Sequence, residues 1–139
     1  MTTKKMYAER HNKEKMLLLS LCFGLLLTFM SLNVKANEYL LPQSDSVYLT
    51  NVDIAGFSLQ KLNYARNEIY ARHGRCFRSA ELNEYFQTKD WYVGIISPDE
   101  FDENSLNDYE KQTGKFLLAA EKKNNSEGYV LDQPGYDIT

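Results

Sequence analysis

Residues 62–77, LNYARNEIYARHGRCF, concentrate the side chains most able to do chemistry. Glu68, Arg72, His73 and Arg75 fall within eight positions of one another. A glutamate and a histidine on one helix are the parts of a general acid–base pair. Arginines beside aromatic rings, here Trp91 and Tyr92, are instead the parts of a groove for an anionic or carbohydrate ligand. No nucleophile or metal-ligand set completes the first arrangement. His73 and His11 are the only histidines, and one histidine with scattered carboxylates lacks zinc-ligand spacing. No metal and no cofactor is expected.

A third reading is structural. At about 100° per residue, Leu62, Ala65 and Ile69 define an apolar helix face, and Arg66 and His73 point along it. Charged groups on such a face need partners inside the fold. Asp99, Asp102, Asp108 or the carbonyls of an aromatic loop at 91–96 are candidates. Glu68 and Arg72 stand four apart with the acid N-terminal, the favourable order for a helix pair. The candidate binding set is therefore Arg66, Glu68, Arg72, His73, Arg75, Trp91 and Tyr92, and a satisfied internal network is its competitor.

The elements that position these residues read as mostly α: about four helices with an aromatic loop, in one small domain. Thr50-x-x-Asp53 predicts a short capped helix ended by Gly56. Ser58 caps the chemistry-bearing helix, which Gly74 stops. Ser79 opens a third over AELNEYFQ, with Leu82, Tyr85 and Phe86 on one side. Ser97-Pro98-Asp99-Glu100 has the composition of a helix start. The last long helix is predicted over 105–123, with Leu106, Tyr109, Thr113, Phe116, Leu117 and Ala120 in one stripe.

Ahead of this domain the first 15 residues carry five basic and two acidic side chains, and 16–32 contains no charge. Val34 and Ala36 then occupy the small-residue positions of a secretory signal. The expected division is a signal peptide or N-terminal membrane anchor over 1–36, a linker over 37–47, the domain over 48–122 and a disordered tail over 123–139. The chain is thereby expected outside the cytoplasm, periplasmic or extracellular, and tied to the membrane only if that segment stays uncleaved. Residues 37–139 hold 10 basic and 17 acidic side chains, a poor match for nucleic acid. They keep one cysteine, Cys76, so no internal disulfide is available. Nine tyrosines, five phenylalanines and one tryptophan remain, enough to build a small core and to offer rings to a sugar or a partner protein.

Tyr70-Ala71-Arg72-His73-Gly74 resembles the signature of the YARHG domain. The likeness continues through Ala65-Arg66-Asn67-Glu68-Ile69 before it and Arg75 and Phe77 after it. It extends to Leu82, Tyr85-Phe86, Trp91-Tyr92, Phe101 and Leu106-Asn107, covering roughly 48–121. Cys76 is not expected from that pattern. The resemblance implies an exported bacterial domain, often near the envelope, with no established activity and no catalytic residue to transfer. A binding module for a cell-wall or surface polymer, or for an envelope protein, is the expected function. An envelope hydrolase using Glu68 and His73 is the alternative.

Overall fold

The computed structural model describes residues 39–138, so the export signal expected over 1–36 lies outside the described residues. Among the described residues three α-helices carry the fold: α1 (Leu59–Arg72), α2 (Ala80–Gln87) and α3 (Asp108–Asn124), with one 3-10 turn at Glu103–Ser105. Among the described residues there is no strand, and no helix is long and apolar enough to cross a membrane. The class is the mostly helical one expected, with three helices among the described residues where about four were expected.

Helix α1 begins where Ser58 accepts the Lys61 amide. It ends at His73 and Gly74 in a Schellman arrangement: the Gly74 amide donates to Ala71 O and the Arg75 amide to Tyr70 O. Gly74 has φ +80°, and a Cβ there would meet Val93 O at 3.3 Å, so conformation and space both call for glycine. The same turn joins the aromatic loop. Gly74 O accepts the Ile95 and Ile96 amides, and Cys76 N donates to Ile96 O.

Two hydrophobic cores meet on α1. Leu62, Ala65 and Ile69 pack with Leu41, Ile54, Leu106 and Leu117. Tyr64 and Ala71, about 180–200° round the helix from Leu62, pack with Phe77, Leu82, Tyr85 and Phe86. The helix is therefore buried on two opposite faces, one towards α3 and one towards α2.

The fourth expected helix is absent for a local reason. Asp53 accepts from the Thr50 amide and hydroxyl at 2.7 and 2.8 Å, as the capping pattern suggests. The backbone then makes i→i−3 bonds at Asp53, Ala55 and Phe57, a run of turns interrupted at Gly56 (φ +79°). Ser97 and Glu100 likewise bond to each other at 2.9 Å, but no helix follows. Phe101 instead packs on Tyr70, and Asp102 caps the 3-10 turn. The start of the last helix is Asn107, not Ser105, through a complete capping box with Glu110.

Both segments assigned to flexible chain are folded onto the domain. In the segment read as a linker, Leu41 and Ser44 are buried. In the segment read as a disordered tail, Tyr129, Leu131 and Ile138 pack on the Tyr64–Phe86 core. Buried carboxylates on the helices supply the reason, because each needs backbone or hydroxyl donors that these segments bring.

Candidate functional site

The sequence-predicted residues do come together, chiefly with partners inside the fold. Glu68 has no exposed surface. Both of its oxygens accept the Leu40 amide, at 3.1 and 2.9 Å, and it pairs with Arg72 one helical turn on. Burial raises its carboxyl above the usual range, and the Leu40 amide and Arg72 act against that. Arg72 reaches further, donating to Ser44 Oγ at 2.8 Å and Leu41 O at 3.0 Å. It thus fastens residues 40–44 to the helix and leaves Glu68 no open approach. The linker assignment fails at this pair.

Arg66 and His73 are satisfied as the structural reading expected, with partners other than those proposed. Arg66 Nε donates to Glu121 Oε1 at 2.7 Å, and Asn63 Nδ2 donates to the other oxygen at 3.1 Å. His73 Nε2 lies 2.7 Å from Glu110 Oε1. The second oxygen of Glu110 accepts the Asn107 amide, so one carboxylate caps α3 and holds the end of α1. The two pairs bind α3 near both of its ends to the middle and the C-terminal end of α1. Asp99 is engaged elsewhere, with the exposed Arg78.

Arg75, Trp91 and Tyr92 are half-buried. The Arg75 guanidinium lies 5.4 Å from the Tyr70 ring centre and 5.5 Å from that of Phe77. Its carbonyl accepts the Tyr92 hydroxyl at 3.0 Å. Burial pushes the Tyr92 hydroxyl up, and Cys76 adds to that. A Cβ on Gly94 would fall 2.5 Å from the Tyr92 oxygen, so a larger residue there would have to displace the Tyr92 side chain. Trp91 packs against Phe86 and Tyr39, and Tyr39 in turn lies under Arg72, 4.0 Å from its guanidinium carbon. Arg72 Nε and Trp91 Nε1 are buried without an acceptor among the described residues. These residues frame one aromatic face, yet Glu68 is beneath it and His73 is turned to α3. The expected seven-residue groove is split.

Sequence reasoning missed a buried acid with four donors, Glu81. Glu81 is fully buried. It accepts Tyr64 Oη at 2.8 Å, Tyr129 Oη at 2.7 Å, Gln60 Nε2 at 3.2 Å and the Asp132 amide at 2.8 Å. Burial alone would raise its carboxyl, but these donors outweigh burial and hold it below the usual range. Burial and the Glu81 charge push the Tyr129 hydroxyl up to about 12 and raise that of Tyr64 still further. The one available signal was position. Glu81 immediately precedes Leu82, and Tyr85 lies four residues on, so the acid lies at the edge of the buried face.

Two surface cavities among the described residues stand out. One of about 350 Å³ is lined by Tyr48, Leu49, Gln112, Thr113 and Phe116. The larger, about 570 Å³, is bounded by the first turn of α1, the end of α2 and Ile138. Among the described residues no group of three or more His, Cys, Asp or Glu side chains is arranged to hold a metal ion.

This architecture defines a small helical domain whose motif side chains brace the fold. The chain belongs to the YARHG domain family, whose sequence profile matches residues 37–122. The match starts at 37, in keeping with the folded state of the segment before Tyr48. Comparison with curated proteins and with solved structures finds no match in either.

Proposed function

We propose that the chain is an exported binding module of the cell envelope, retained on a cell-wall or surface polymer, and that it does not turn its ligand over. The supporting observation is the state of Glu68. A general acid or base must reach a substrate proton. Glu68 has no exposed surface and is engaged by Leu40 and Arg72, while His73 faces Glu110. The hydrolase alternative would need both groups at one opening. What the surface offers instead is tyrosine rings, amides and lysines around two cavities, the furnishings of a binding site. The basic leader and uncharged run of the sequence support export.

The test is incubation of the full chain with purified cell wall, following both retention on the insoluble fraction and release of soluble fragments. Retention without release is the expected result. Release of fragments that disappears in Glu68→Gln would establish the hydrolase instead.

A further inference from the structure

The larger cavity has a chemical character that the rest of the domain lacks. Its floor is the Tyr64 and Tyr85 rings, whose centres are 4.2 Å apart. Lys61 and Lys89 stand at its edge. Among the described residues neither lysine belongs to an ion pair, although residues 37–139 carry a seven-charge acidic excess. Each ammonium instead lies over a ring: Lys61 4.3 Å from Phe57, and Lys89 4.5 Å from Tyr85. That contact orients the charge without neutralising it.

The start of α1 opens on the same space through Ser58, Gln60 and Lys61, and its first turn contains no acid. The positive end of the helix and both ammonium groups therefore favour negative charge at one place. Glu81 lies behind the tyrosines, fully buried with four hydrogen bonds accepted, and does not line the cavity. The far wall, Ile138, belongs to the segment after residue 122, outside the family match. Gln60 fixes it by donating to Asp137 O at 2.7 Å. A cavity of about 570 Å³ is within the range of small-ligand sites.

We infer that this cavity binds a carboxylated sugar ring, with the carboxylate between Lys61 and Lys89 and the ring hydroxyls towards Ser58, Gln60 and Thr88. This rests on the binding-module reading and names the site and ligand class for it. The probes are N-acetylmuramic acid and N-acetylglucosamine, which share a ring but differ in the carboxylate. Each is titrated into the full chain while tyrosine fluorescence and calorimetric heat are followed. Saturable binding of N-acetylmuramic acid is expected, at least about tenfold tighter than N-acetylglucosamine, and weakened by about tenfold or more in Lys61→Gln/Lys89→Gln.

No saturable signal with N-acetylmuramic acid, equal affinity for the two sugars, or unchanged affinity in the double variant overturns the assignment. A melting curve confirms that the variant is folded, and the comparison of the two sugars on wild-type chain does not depend on it. Wall retention separates the two claims. If wild type and double variant are held equally, the cavity is not the site and the wall-binding reading stands. If wild type is not held, that reading falls whatever the sugar titration gives.

Discussion

Glu81 and Asp132 each accept the other's backbone amide: Asp132 N donates to Glu81 Oε2 at 2.8 Å, and Glu81 N to Asp132 Oδ1 at 2.9 Å. The exchange caps α2 and fastens the C-terminal segment in one step, since Asp132 also accepts Ser79 Oγ. Asp132 adopts φ +59° to make it, a conformation that side chains other than glycine rarely hold without compensation.

The first prediction concerns acid. The folded-state pKa of Glu81 lies below its ordinary value of 4.5, so its stabilisation is complete above that value. It is lost as pH falls through the folded value. Burial gives Glu68 the opposite shift, so its charged form is disfavoured and its contribution declines as pH rises through its own raised value. Carboxyl-carbon NMR should show Glu68 titrating above the ordinary carboxylate range and Glu81 below it. The Asp132 amide should lose its protection with Glu81 protonation. Loss of that protection together with Glu68 titration would remove the proposed role of Glu81.

Glu121 is buried and receives Arg66 and Asn63. Removing one partner of such a pair leaves the other uncompensated, so Glu121→Ala should cost about 3 kcal/mol by denaturant unfolding. Replacing Arg66 and Glu121 together by Met should recover much of the loss. A single variant within about 0.5 kcal/mol of wild type would show the pair to be dispensable.

Gly74→Ala must hold a left-handed residue and displace Val93 O. A destabilisation of about 1–2 kcal/mol is expected from the backbone alone, with faster hydrogen exchange at the Ile95 and Ile96 amides that Gly74 O accepts. Unaltered exchange there would mean that the turn does not hold the loop.

Trp91 Nε1 is buried and has no acceptor among the described residues. Trp91→Phe keeps most of the ring packing on Phe86 and Tyr39 and deletes the unanswered donor. Its melting temperature should stay within a few degrees of wild type, whereas Trp91→Ala should cost about 3 kcal/mol or more. A large loss in the phenylalanine variant would reveal an acceptor for the indole.

Local signals were legible in the sequence where local chemistry decides. Ser58, Ser79 and Gly74 mark α1 and α2 because a cap bonds to amides a few residues away. The Glu68–Arg72 pair was visible for the same reason. Arg66 could be seen to need a partner, but Glu121 is 55 positions off, and periodicity carries no information on that distance. Ser97 and Glu100 form their local bond, but the path of Phe101 into contact with Tyr70 overrides helix propensity. The 100° spacing of Leu62, Ala65 and Ile69 picks out one face of α1 only. Tyr64 and Ala71 define the second, and their burial depends on α2 and residues 129–138. Those last residues looked disordered by composition, since Tyr129, Leu131 and Ile138 follow no regular spacing. Glu81 gathers their backbone and hydroxyl groups, which composition cannot register.

The placement of α1 between two cores has a consequence for how the domain comes apart. Each core uses a different side of the same 14-residue helix, so neither can open without loosening the backbone on which the other is built. Slow hydrogen exchange should therefore spread evenly over the α1 amides, with one common opening free energy, rather than dividing the domain into halves of unequal endurance.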